Sequence, residues 1–250
     1  REVVHVALGR APTDFLRNPM ITGLSGTARA PGAGGQRVIV LTDQFPVLSQ
    51  TFILDQMTGL MDRGLDVEHW SLQRMDAPVV HENVAKYRLL ETTRFLTLPP
   101  EELRAEPKRW AEQFLLANGL APLQDVAAIQ IHFGPNFNKL APLFAVYPDL
   151  FVVVSFHGYD GSATFRVKGA DVYTELFARA DRITTPSEFM KQTLAQYGCP
   201  PDKITVHHYG KDTAAFAPAP RQDGPRPVRL LTVARFVEKK GLEYSLAAFA

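Results

Sequence analysis

The sequence predicts an α/β fold: a doubly wound parallel sheet, followed by the first strand-helix unit of a second domain. Three observations predict it. Short, β-branched apolar runs recur, among them "RVIVLT" (37–42) and "LFVVVSFHG" (150–158), and runs of that length suit strands buried on both faces. Between the runs lie segments with the apolar spacing of amphipathic helices. The two kinds of segment alternate, which is the signature of a sheet built from right-handed crossovers.

Each element follows from its residues. After the first strand, Ser49 to Arg63 carries Ile53, Met57, Leu60 and Met61 on one helix face, with Ser49 as N-cap and Gly64 as the stop. "LDVEHWSL" (65–72) reads as a second strand, 101–118 as helical and "AAIQIHFG" (127–134) as a strand. Helices over 137–146, 170–179 and 188–197 alternate with strands at 150–158, 181–187 and 203–208. "SGTARAPGAGGQ" (25–36) is rich in Gly, Ala and Pro, so 1–36 is expected to be a flexible extension. "APAPRQDGPRP" (217–227) reads as a linker that closes a domain over 37–216. Beyond it, "VRLLTVA" (228–234) is expected to be a strand and the residues to 250 the helix after it. One strand and one helix bury too little to make a domain, so 228–250 is read as the start of a truncated one.

Composition removes several function classes. The 250 residues are 46% hydrophobic and 21% charged with a formal net charge of +1, so nothing advertises nucleic acid or an anionic surface. One cysteine, Cys199, makes no internal disulfide. No apolar stretch reaches the length of a membrane span and no signal-peptide pattern is evident, which makes the cytoplasm the default expectation.

In open parallel sheets ligands bind beyond the carboxyl ends of the strands, so candidate site residues are those that follow each strand. The first is followed by "DQFPVLSQTF" (43–52), which is not the G-x-G-x-x-G fingerprint and argues against a nicotinamide or flavin site. Its Phe45, Ser49, Gln50 and Thr51 instead lead into a helix start whose free N–H groups suit an anion or sugar hydroxyls, or serve only as a tight turn. "HFGPN" places His132, and "HGYDGS" places His157, Gly158, Tyr159 and Asp160, at the ends of two further strands. A lone histidine is more often structural; two facing one crevice favour function. Neither shows metal-ligand spacing. "VHHYGKDTAAF" (206–216) offers Gly210 after another strand, and "ARFVEKKG" (234–241) offers Arg235 and Lys240 beside a helix start. Arg and Lys there suit phosphate oxygens, with a solvated basic turn as the alternative.

Taken together, "FPVLSQTFILDQMTGLMDRGLDVEHWSL", "IHFGP", "SFHGYDGS", "ITTPSEFMKQTL", "KITVHHYGKDTAAFAP" and "LLTVARFVEKKGLEYSLAAF" resemble group 1 glycosyltransferases, and among them the bacterial exopolysaccharide branch of the colanic acid biosynthesis type. The resemblance covers Arg37 to Ala250. It implies a GT-B enzyme: two Rossmann-like domains, the N-terminal one binding the acceptor and the C-terminal one a nucleotide-sugar donor, with the active site between them. It implies that His157 hydrogen-bonds the transferred sugar, that Arg235 and Lys240 hold the donor diphosphate, and that Phe45 to Thr51 line the cleft with His132 and Gly210 nearby. Retention of configuration, no divalent metal and no cofactor are further implications. So are a glycan or lipid-linked acceptor, no nucleic acid partner, and peripheral contact with the inner face of the membrane. The family's glutamate pair, E-x(7)-E, does not occur in these residues, which motivates the expectation that this chain alone is inactive. A non-catalytic glycan-binding or scaffolding domain of the same fold is the alternative. Residues 101–116 mix basic residues with Trp110, Phe114 and Leu115, and read either as a membrane-surface helix or, preferably, as a helix with a core face broken at Pro107.

Overall fold

Seven parallel strands lie in the order β3-β2-β1-β4-β5-β6-β7 in this computed structural model, which describes residues 37–211, 213, 216 and 230–249. The chain divides into two units, 1–211 and 212–250, and each is described by itself. The expected extension (1–36), the linker (217–227) and the first two residues of the expected 228–234 strand lie outside the described residues.

The first unit runs β1 (Arg37–Phe45), α1 (Thr51–Met61), β2 (Asp66–Arg74), α2 (Glu82–Lys86), α3 (Leu89–Thr92) and β3 (Arg94–Phe95). A 3₁₀ turn (Glu101–Ala105) and α4 (Pro107–Ala117) carry the chain across to β4 (Val126–His132) on the other side of β1. Then come α5 (Gly134–Val146), β5 (Phe151–Ser155), α6 (Ala163–Lys168), α7 (Thr174–Arg179), β6 (Arg182–Thr185), α8 (Glu188–Gln196) and β7 (Ile204–Val206). Alternate residues of each strand serve opposite faces. Ile39 and Leu41 join the large core with Trp110 and Phe114 of α4, Phe137 and Phe144 of α5, and Leu194 of α8. Val40 and Phe45 join a second core with Ile53, Leu54 and Met57 of α1.

The sheet class is as read from the sequence; several details differ. Gln50, not Ser49, precedes the first helical residue, because its carbonyl accepts from Ile53 and Leu54 while Ser49 is exposed. Gly64 does stop that helix: it sits at φ +79 with Leu65 N–H returned to the Leu60 carbonyl, a Schellman closure. The helix expected over 170–179 is α7 and starts only at Thr174, and before it lies α6, which was not expected and ends where Gly169 takes φ +99. The elements α2, α3 and β3 are too short to have shown a period. Of the helix expected over 101–118, Glu101–Ala105 is a 3₁₀ turn and α4 starts at Pro107, with Trp110 and Phe114, 1% and 0% exposed, on its core face.

In the second unit, a 3₁₀ turn (Glu238–Lys240) leads through Gly241 at φ +59 into α9 (Leu242–Phe249). Residues 230–234 form no strand, and Leu230, Leu231 and Val233 are exposed. A strand exists only where a neighbour takes its backbone hydrogen bonds, and the described residues of this unit offer none.

Candidate active site

The strand order reverses between β1 and β4, and the crevice beyond their carboxyl ends is where an open sheet of this kind binds ligands. Here the sequence places polar and aromatic side chains from four segments. His132 ends β4, and His157 follows β5, whose Ser155 pairs with His132 in the parallel ladder. The two imidazoles stack with centroids 5.1 Å apart, and His132 Nδ1 lies 2.9 Å from His157 Nε2. The other nitrogen of His157, Nδ1, lies 2.8 Å from the Tyr209 hydroxyl, brought in by the segment after β7. Phe52, in the first turn of α1, packs on both, 4.8 Å from the His157 ring and 4.5 Å from that of Tyr209. Phe133 closes the other side of His157 at 4.8 Å.

Backbone geometry fixes this arrangement. Phe133 has φ +68, a left-handed value that a bulky residue adopts only under constraint, and it is the residue that turns β4 into α5. Gly134 follows because nothing larger fits: a Cβ there would stand 2.8 Å from Phe156 and 2.9 Å from Tyr173. Asp160 binds the loops together. One carboxylate oxygen accepts from the backbone N–H groups of His157 and Gly158, both at 2.9 Å, and the other accepts from Gly134 N–H at 3.2 Å. A carboxylate thus sits on the first N–H of α5, where the helix dipole favours it. Burial holds the Asp160 carboxyl above its ordinary range, and those three N–H groups offset part of that rise.

The residues singled out in the sequence fall into three groups. His132, His157 and Gly158 (φ +144) meet at the crevice, and Asp160, only 3% exposed, holds their turn rather than facing solvent. Thr51 accepts from Lys211 Nζ at 3.2 Å, while Ser49, Tyr159 and Gly210 are exposed on neighbouring loops and Phe45 packs edge-on against the His69 ring. Arg235 and Lys240 are exposed and belong to the second unit. Sequence reasoning missed Phe52 and Phe133; it noted Tyr209 and Lys211 after a strand end but not the contact of Tyr209 with His157 or the Lys211–Asp55 ion pair, whose Nζ–Oδ2 distance is 2.5 Å. The available signal was "HHYGKD" itself, which sets Tyr209 and Lys211 on either side of the glycine that was chosen.

Burial lowers the pKa of four histidines from 6.5: His69 and His157 to about 3, His132 well below its ordinary value, with the neighbouring His157 and His69 adding to the effect, and His207 in the same direction. His69 is held neutral between Thr42 and Thr93 hydroxyls at 3.1 and 2.8 Å. A base whose folded pKa lies below its unfolded value leaves the unfolded chain binding more protons between the two. Stability is therefore complete above about pH 6.5 and is lost as pH falls towards 3. His69 and His157 are each expected to remove up to about 1.4 kcal/mol per pH unit in that window, and His132 acts in the same direction. Urea unfolding midpoints at pH 7.5, 6.5 and 5.5 check this; a midpoint unchanged down to pH 5.5 contradicts it.

Among the described residues no helix is long and apolar enough to cross a membrane. The sequence family described as Glycosyltransferase Family 4 matches residues 49–215. WcaL of Escherichia coli (strain K12), named as a colanic acid biosynthesis glycosyltransferase, is 29% identical over 239 residues, covering 82% of this chain and 58% of that protein. AmsK of Erwinia amylovora, named as an amylovoran biosynthesis glycosyltransferase, is 27% identical over 248 residues, covering 85% and 60%. The chain thus spans less than two thirds of the length of these relatives. Among solved structures, Anabaena Alr3699/HepE in complex with UDP-glucose superposes with a TM-score of 0.51 at 13% identity over 74% of this chain and 46% of that one, a likeness of fold. A match that runs through every strand end of the site except that of β1 makes this chain a member of Glycosyltransferase Family 4.

Proposed function

We propose that the protein transfers a sugar from a nucleotide-sugar donor to a glycan or lipid-linked acceptor in exopolysaccharide biosynthesis. One observation carries the reading: His157, framed by Phe52 of α1 and Phe133 of the β4–α5 turn, stands just past the carboxyl end of β5, the strand next to β4 at the switch point. Its ring is neutral and suits a hydrogen bond to sugar oxygens, while the aromatic rings suit the apolar face of a pyranose. The first unit takes the acceptor side. The turn bearing Arg235 and Lys240 belongs to the donor side, where a fork and a point charge offset the diphosphate as it leaves. The leaving phosphate, rather than a protein nucleophile, assists the acceptor hydroxyl, and the anomeric configuration is retained. The naming of relatives for colanic acid and amylovoran biosynthesis supports the pathway class, and the UDP-glucose bound by the Anabaena structure supports the donor class. The reaction takes place in the cytoplasm at the inner face of the membrane, where lipid-linked acceptors are found.

Described residues 230–249 bury no side chain, so a functioning donor side needs more chain than they supply. The test uses this chain extended to its relatives' length, a panel of nucleotide sugars and a membrane extract of lipid-linked glycans. Lys240→Ala is expected to lower kcat/KM for the donor roughly thirtyfold, the equivalent of about 2 kcal/mol for one charge-assisted contact. A donor kcat and KM unchanged by that substitution removes Lys240 from the phosphate site.

A further inference from the structure

His132, His157 and Tyr209 form a hydrogen-bonded chain in which both nitrogens of His157 are taken. Its two ends differ. His132 is 1% exposed on a central strand, whereas Tyr209 is 43% exposed in the segment after β7. His132 Nε2, itself buried, meets no hydrogen-bond partner among the described residues.

Such a chain has two proton arrangements. In the first, the Tyr209 hydroxyl donates to His157 Nδ1, His157 Nε2–H donates to His132 Nδ1, and a His132 Nε2–H is left buried without an acceptor. In the second, His132 Nδ1–H donates to His157 Nε2 and His157 Nδ1–H donates to the Tyr209 oxygen. The phenolic proton then faces solvent, and the buried orphan is a lone pair. Orphaned buried N–H groups are rarer than under-satisfied acceptors, which selects the second arrangement. His157 therefore points an N–H into the crevice, and the phenol oxygen of Tyr209 is what receives it.

We infer that Tyr209 occupies the place of a sugar oxygen on His157 and must leave before a glycan binds there, so that the site takes a ligand through an acceptor oxygen at His157 Nδ1. The inference rests on the glycosyltransferase reading above and names Tyr209 as a positioning residue. Its geometry permits the exchange. Tyr209 gives up one neutral hydrogen bond and one ring stack, while the Lys211–Asp55 ion pair keeps the segment anchored to α1. Phe52 and Phe133 stay beside His157 to receive the apolar face of the sugar. His132 cannot yield in the same way, because it is fixed in β4 and Asn136 Nδ2 donates to its carbonyl at 2.8 Å.

The test uses the 250-residue chain with ¹⁵N-labelled imidazoles, so that ring-nitrogen shifts read the tautomer, and titrates it with glucose, galactose and mannose. His132 and His157 are both expected to carry their proton on Nδ1. Tyr209→Phe keeps the stack on Phe52 and removes only the competing oxygen, so it is expected to bind the best of the three sugars about threefold to tenfold more tightly, the weight of one neutral hydrogen bond. A proton on His157 Nε2 in the parent chain overturns the inference, and that reading needs no variant to fold. Sugar binding by Tyr209→Phe that is equal, weaker or absent overturns it as well. A merely structural role for the hydroxyl loosens the fold without tightening a sugar. Transfer by the extended chain is a separate measurement, so failure of the glycosyltransferase reading and failure of this inference are distinguishable.

Discussion

Asp160→Ala is expected to destabilise the protein by about 4 kcal/mol, because it strips the acceptor from three backbone N–H groups at once. Those of His157, Gly158 and Gly134 all end on this one carboxylate, which is 3% exposed. Each buried donor left without a partner costs about 1–3 kcal/mol, and the three are coupled enough that their costs do not simply add. The loss of negative charge from the start of α5 removes a further favourable contact with the helix dipole. Asp160→Asn discriminates between shape and chemistry. Its amide oxygen replaces one acceptor, but its NH₂ group then confronts an N–H donor, so less than half of the stability is expected to return. Chemical denaturation of both variants measures this, and a loss below 1 kcal/mol for Asp160→Ala would show that the turn is held by something other than the carboxylate.

The same turn explains why a change there reaches the site. The two N–H groups that share an Asp160 oxygen belong to His157 and to the glycine after it, and the third belongs to the residue after Phe133. Asp160 is therefore the common anchor of the β4 and β5 loops, and its removal frees the His157 ring from the register that brings it to His132 and Tyr209.

What the sequence made legible follows from where physical signals are local. Val152, Val154 and Ile131 are strand residues in any neighbourhood that buries them, and the helix periods of α1 and α8 are local as well. His132 and His157 were found because the end of a buried strand can be located from the strand. The meeting of Tyr209 with His157 was not legible, since it spans 52 positions of sequence and only the ladder order β5-β6-β7 brings the two together. Phe52 ends the stretch "DQFPVLSQTF", and nothing in composition separates it from Ile53, which faces the core. The left-handed φ of Phe133 is invisible in a residue type that normally avoids it. The strand expected at 228–234 shows the opposite failure: an apolar run of suitable length becomes a strand only beside a partner strand, and hydrophobicity alone does not supply one.

The second large effect is on chemistry. His157→Ala is expected to lower kcat for sugar transfer about a hundredfold, the range seen when one preorganised hydrogen-bond donor is removed from a reacting centre. The substitution also leaves His132 Nδ1 without its partner, so stability falls by about 1–3 kcal/mol and the variant is assayed well below its unfolding midpoint. Gly134 and Asp160, which set the ring in place, are untouched by the change. On the proposed reading His157, just past the carboxyl end of β5, handles the transferred sugar. Sugar transfer by the extended chain, with and without His157→Ala and at saturating donor, tests it most directly. A rate about a hundredfold lower with the fold retained is expected; a folded His157→Ala enzyme within threefold of the parent rate would remove His157 from the chemistry.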